Sequence, residues 1–135
     1  MKWLSLLTAL IVLAPGLANA SPTATCKTGA DGHWIITSYF FNDGIIAVGP
    51  AEARKNVGAK VFISKDRVTY LGDNCDVAKV SSMKSNDYPK YPLGVDIACK
   101  NQVYLPAFFV ANSCDKMLSS AAEGVNYIMK RQNEK

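Results

Sequence analysis

Histidine is almost absent: the 135-residue chain holds one, His33, at the start of an aromatic run. That scarcity weighs against a Ser-His-Asp constellation, which needs an imidazole between a nucleophile and an acid. No G-x-S-x-G elbow offers such a nucleophile either. There is no C-x-x-C, no HExxH, no EF-hand loop and no P-loop. The usual zinc, redox-dithiol, calcium and phosphate-cradle patterns are thereby missing. Basic runs are short as well, none longer than Arg54-Lys55 or Lys130-Arg131, on a chain of net charge +4. A nucleic-acid face is therefore not expected. The expectation is no catalytic residue, no metal and no cofactor. Carboxylates could still serve a glycosidase, since Asp73 and Asp76 flank Cys75 while Asp87 and Asp96 bracket a Tyr-Pro loop. With 11 acidic residues such spacings are ordinary, and a glycosidase needs a pair placed across one bond.

What is present begins with a leader. Met1-Lys2 precedes the apolar run WLSLLTALIVLAPGL, and Ala18-Asn19-Ala20 supplies a small-x-small site before Ser21. Residues 1–20 read as a cleaved secretory signal. Pro15 and Gly16 break the run short of the roughly 20 apolar residues a membrane span needs. Cys26, preceded by Thr23-Ala24-Thr25, makes a poor lipid-attachment site. No transmembrane anchor is expected after cleavage. Residues 21–135 are then a single domain of roughly 115 residues, periplasmic or secreted. Losing Lys2 lowers its charge to +3, enough for mild attraction to an anionic polymer or an acidic protein patch.

All four cysteines, Cys26, Cys75, Cys99 and Cys114, lie in that domain. An even count in an exported chain predicts two disulfides, for which three pairings exist. Cys75 and Cys114 sit in similar contexts, Asp-Asn-Cys-Asp and Asn-Ser-Cys-Asp, which favours Cys75–Cys114 and leaves Cys26–Cys99.

Periodicity predicts a mostly β domain. His33–Phe41 is aromatic and β-branched, and Asn42-Asp43-Gly44 suits a tight turn before a short strand at Ile45–Val48. Pro50–Val57 is the one helix signal, with Pro50 in the first turn and Gly58 to stop it. At about two turns it must pack on something, such as a barrel end or a sheet edge. Ala59–Ser64 and Arg67–Leu71 form a hairpin around Lys65-Asp66, with Val61 and Ile63 on one face and Val68 and Tyr70 on one face. Residues 76–93, containing SSMKSNDYPKYP, read as a long irregular loop. Leu93–Cys99, Gln102–Val110, Met117–Ser119 and Val125–Lys130 complete the strands, with Pro106 marking an edge or bulge. The fold class expected is mainly β: a small antiparallel barrel or strongly curved sheet with one short helix. A two-sheet sandwich is the alternative.

Aromatic residues carry the remaining signal. Strand aromatics are most often core. The loop tyrosines differ, because an apolar ring with a polar tip suits an interface. Asp87, Tyr88, Lys90 and Tyr91, held between prolines, form the candidate contact patch. Trp34, Ile36, Phe62 and Tyr70 are the candidate lining of an apolar ligand pocket.

Four segments carry a resemblance: Gly-His-Trp-Ile-Ile at 32–36, PAEARKNVGAKVFIS at 50–64, Gly-Asp-Asn-Cys at 72–75 and GVNYIMKR at 124–131. Together they are similar to small exported bacterial proteins with lipocalin-like barrels, including periplasmic lysozyme inhibitors and immunity proteins. The resemblance implies a binding protein whose partner is a lytic enzyme or a toxin, blocked by steric docking. A carrier of a small apolar ligand is the other reading it allows.

Overall fold

The computed structural model describes residues 29–44, 47–121 and 124–133. The expected signal at 1–20, Cys26, and Ile45 and Ile46 of the expected strand lie outside the described residues. Eight strands and one helix follow in chain order: β1 (Gly32–Phe41), α1 (Pro50–Lys55), β2 (Lys60–Ile63), β3 (Arg67–Tyr70), β4 (Asp73–Lys84), β5 (Leu93–Cys99), β6 (Ala107–Val110), β7 (Lys116–Ser120) and β8 (Val125–Arg131). Each strand pairs antiparallel with its sequence neighbour, and β8 returns to β1. The result is a closed barrel of the up-and-down kind, and the sandwich alternative falls away.

Side-chain alternation decides what fills it. Trp34 and Ile36, Val61 and Ile63, Val68 and Tyr70, Cys75 and Val77, Val95 and Ile97, Phe108 and Val110, and Met117 and Met129 are all buried in one core. Inside, the Tyr70 ring meets Phe108 edge-on at 5.7 Å, and its hydroxyl pairs with the buried Ser119 hydroxyl at 2.9 Å. Outward positions are mostly polar and exposed, among them Thr37, Lys60, Asp76, Lys79, Asp96, Lys116 and Lys130. That apolar-in, polar-out assignment is the reverse of a membrane barrel's. Among the described residues no helix is long and apolar enough to cross a membrane.

The helix closes one end. Pro50 occupies its first turn, and Ala53 is fully buried against the barrel. The Tyr39 hydroxyl donates to the Pro50 carbonyl, while the Asn56 amide donates to the Tyr127 hydroxyl at 2.8 Å. Gly58, at φ +92°, turns the chain so that its N–H reaches the Ile36 carbonyl. At the β2–β3 turn the Ser64 hydroxyl accepts the N–H groups of Asp66 and Arg67. The β3–β4 turn, Leu71-Gly72, holds both residues at positive φ, as a two-residue hairpin turn demands.

Three expectations change. Residues 76–93 are not one loop, because β4 runs on to Lys84 and only 85–92 connects it to β5. Serine and methionine gave no strand signal, yet the ladder to β5 holds the backbone extended there. The strand expected at Gln102–Val110 shrinks to Ala107–Val110, since Pro106 cannot donate to a ladder. Ala47 and Val48 are not in a strand.

The disulfide pairing also changes. Cys75 bonds Cys99, not Cys114, so the expected Cys75–Cys114 and Cys26–Cys99 pairing is wrong. The register explains this: Cys99 lies opposite Val77, two residues along from Cys75 on the same inward face. Cys114 follows β6, two strands away from β4. It too is disulfide-bonded.

Replacing Cys75 and Cys99 by serine together should cost about 3 kcal/mol, because the bond closes a loop with a sequence separation of 24. Urea melts read by Trp fluorescence check this, and the barrel's far-ultraviolet spectrum should be kept.

Candidate functional site

The β4–β5 connection is a folded strap. The Ser85 N–H donates to the Pro92 carbonyl, closing the neck at 2.7 Å. The Tyr91 N–H donates to the Tyr88 carbonyl at 2.7 Å, making a tight turn over Pro89-Lys90. The Ser85 hydroxyl accepts the Asp87 N–H. Pro89 and Pro92 fix two φ angles and remove two donors, so this shape needs little further ordering.

The strap lies back on the outer wall. Strand register places Ser38, Ile128, Leu118, Phe109, Gly94 and Met83 in one row across β1, β8, β7, β6, β5 and β4. Met117 and Ser119 point inward, so Leu118 and its row-mates point outward. Leu118 is nonetheless only 1% exposed. The Tyr88 ring covers this part of the wall, edge-on to Phe109 at 4.8 Å, and its hydroxyl pairs with the Ser120 hydroxyl at 3.1 Å.

Between strap and wall runs an open cleft of about 280 Å³, lined by Phe40, Tyr88, Pro89, Lys90, Tyr91 and Leu118. Among the described residues its one charged lining residue is Lys90. Lys116 and Lys130 face each other one step along the same wall from Leu118 and Ile128. Asp115 lies among them: the Ser113 hydroxyl, hydrogen-bonded to its carboxylate, holds the group below its ordinary value, and Lys116 and Lys130 add to that. In the next row, Phe40, Asn126 and Ser120 are neighbours. Asn126 is fully buried; its amide nitrogen donates to Asn42, and its Oδ1 has no partner among the described residues.

Of the sequence candidates, Tyr88, Lys90 and Tyr91 meet at this cleft, while Asp87 sits exposed on the strap and does not line it. Phe40 and Leu118 were not singled out. The signal for Leu118 was available, since it is the apolar odd position between inward Met117 and Ser119. Phe40 was hidden by the bulge after Ile36, which resets which face β1 shows. The second candidate set is split. Trp34, Ile36 and Tyr70 belong to the barrel core, whereas Phe62 is on the outer face, its ring 4.6 Å from His33. Among the described residues no group of three or more His, Cys, Asp or Glu side chains could hold a metal ion.

Comparison with protein-family models, curated proteins and solved structures returns no match.

Tyr91 gives this site a measurable pH signature. Burial raises its phenol above the ordinary value of 10.0, and the Asp115 carboxylate adds to the shift. The folded state thus favours the neutral ring. Its contribution to strap stability is complete below pH 10 and is lost as pH rises through the higher folded value. An ultraviolet difference titration should show a tyrosine ionising late. Tyr91→Phe should remove that phase, and Asp115→Asn should lower it only partway, because burial remains.

Proposed function

We propose that this is an exported binding protein of the inhibitor or immunity-protein type, blocking a lytic enzyme or toxin by docking through the cleft beside the Tyr-Pro strap. The observation that carries the reading is an open apolar cleft on a rigid wall, flanked by Lys90, Lys116 and Lys130. Such a site takes one aromatic or branched aliphatic side chain of a partner whose surrounding surface is acidic. Tyrosines in partly buried, prearranged positions are the residues that dominate protein interfaces. Prearrangement also reduces the ordering cost of association. Residues 1–20 would export the chain, and an oxidising compartment suits the Cys75–Cys99 bond.

Docking is favoured over carriage of a small apolar ligand by how the interior is used. Tyr70 packs on Phe108 and Ser119, and Trp34 packs on Arg131. These contacts occupy the side chains that a ligand would need.

Titrating the protein into a panel of cell-wall muramidases and amidases, with lysis rate as readout, tests the reading. Inhibition of one of them should fall by about thirtyfold in Phe40→Asp, the loss of about 2 kcal/mol typical of an interface anchor. Tyr88→Ala with Tyr91→Ala should do at least as much. Phe40 is 37% exposed, so Phe40→Asp should melt close to the parent protein. Inhibition unchanged in both variants, or an apolar molecule found by mass spectrometry in the purified protein, would reject the docking site.

A further inference from the structure

β4 outruns its neighbour. Strand β3 opposes only Asp73–Asp76, and the last bond on that side joins the Val77 N–H to the Asp66 carbonyl at 3.0 Å. A bulge between Val77 and Lys79 follows, and Lys79–Lys84 then pairs with β5 alone. The neck bond from Ser85 to Pro92 sets the phase of this ladder. Alternation along an antiparallel pair then turns the backbone groups of Lys79, Ser81 and Met83 towards β5 and those of Val80, Ser82 and Lys84 away from it. Those three N–H and three C=O groups have no strand beside them among the described residues. Every residue from Ala78 to Lys84 is exposed, with Val80 at 46% and Met83 at 65%.

We propose that this free edge is a strand-addition site for an extended segment of a partner protein carrying acidic residues at both ends of a short β-prone stretch. Six residues make an ordinary strand length, and no proline interrupts Asp73–Lys84. Charge selects the occupant. A second copy of this chain would bring two more lysines and no carboxylate from its own Lys79–Lys84, so two edges of like charge would meet. The lysines and the bulge guard against self-pairing, as edge strands require. The same lysines favour a strand with a carboxylate opposite each, and β-branched residues opposite Val80 and Met83. This surface is distinct from the cleft under Proposed function, and each can fail without the other.

The test uses the capped peptide Glu-Val-Thr-Thr-Val-Glu, its Lys-Val-Thr-Thr-Val-Lys counterpart, and the isotope-labelled full-length mature protein. The acidic peptide should shift and slow the exchange of the Val80, Ser82 and Lys84 amides. It should bind about tenfold more tightly than the basic one at low salt, with the gap closing as salt rises. Ser82→Pro removes one outward N–H without touching the bonds to β5 and should abolish binding. Should that variant fold poorly, Lys79→Glu with Lys84→Glu should reverse the preference between peptides. Phe40→Asp should leave peptide binding unchanged. Equal binding of both peptides would overturn the proposal. So would slow exchange at these amides before any peptide is added, which would mean that residues 21–28 or a second copy already cover the edge.

Discussion

The barrel depends on how its seam is held shut at the β1–β8 join. Trp34 and Arg131 are partners in that ladder, and the guanidinium lies over the indole at 4.2 Å from the ring centroid. The indole N–H donates to the Ala30 carbonyl at 2.8 Å. Arg131 donates to the carbonyls of Cys114 and Gly29, at 2.6 and 3.0 Å, and to that of Asp31. One side chain therefore ties the chain entering β1, the turn before β7 and the last strand. Burial pushes the guanidinium below its ordinary pKa, with the Asp31 carboxylate opposing that, and arginine keeps its charge throughout. A half-buried charge is tolerable here because carbonyl oxygens face it, and because a planar cation suits the face of an indole.

A closed wall imposes a second constraint. Once Met117 and Ser119 turn inward, Leu118 must turn outward, and an apolar residue on the outside has to be covered or used. The strap does the covering. Tyr88 reaches over β6 and β7 to Ser120, so a segment rich in polar residues and proline is fixed by one ring and one hydroxyl. What it leaves open, between Tyr91 and Phe40, is the cleft. The cleft is in this sense a consequence of barrel closure together with a loop too short to cover the whole row.

The free edge has a related origin. A barrel of short strands needs β4 to bend, and the bulge after Val77 supplies the bend. β3 is four residues long and cannot follow. The Cys75–Cys99 bond sits just before this departure, holding β4 to the end of β5 on the inner face while the exposed ribbon beyond it extends away. Cleft and edge both lie outside the core and both carry lysine, so neither charge is buried in the packing.

Much was legible in the residues themselves. Period-two alternation grouped Val61 with Ile63, Val68 with Tyr70, and Val125 with Tyr127 and Met129, each set on one face, and the barrel turns those faces inward. The Pro50 helix and its Gly58 stop followed from local backbone chemistry. The strap tyrosines were flagged by composition alone. Other features depend on partners distant in the chain and were not legible. Cys75 meets Cys99 because a register, not a local context, brings them together. β4 beyond Val77 is strand because β5 bonds it, although Ser81, Ser82 and Lys84 have little strand preference of their own. Local chemistry thus determined most of the extended segments and which residues of each share a face. Only the tertiary structure decided which strands meet, and so where the outer wall is covered, where it stays open and which edge is left unpaired, since those outcomes rest on contacts between residues that no local pattern links.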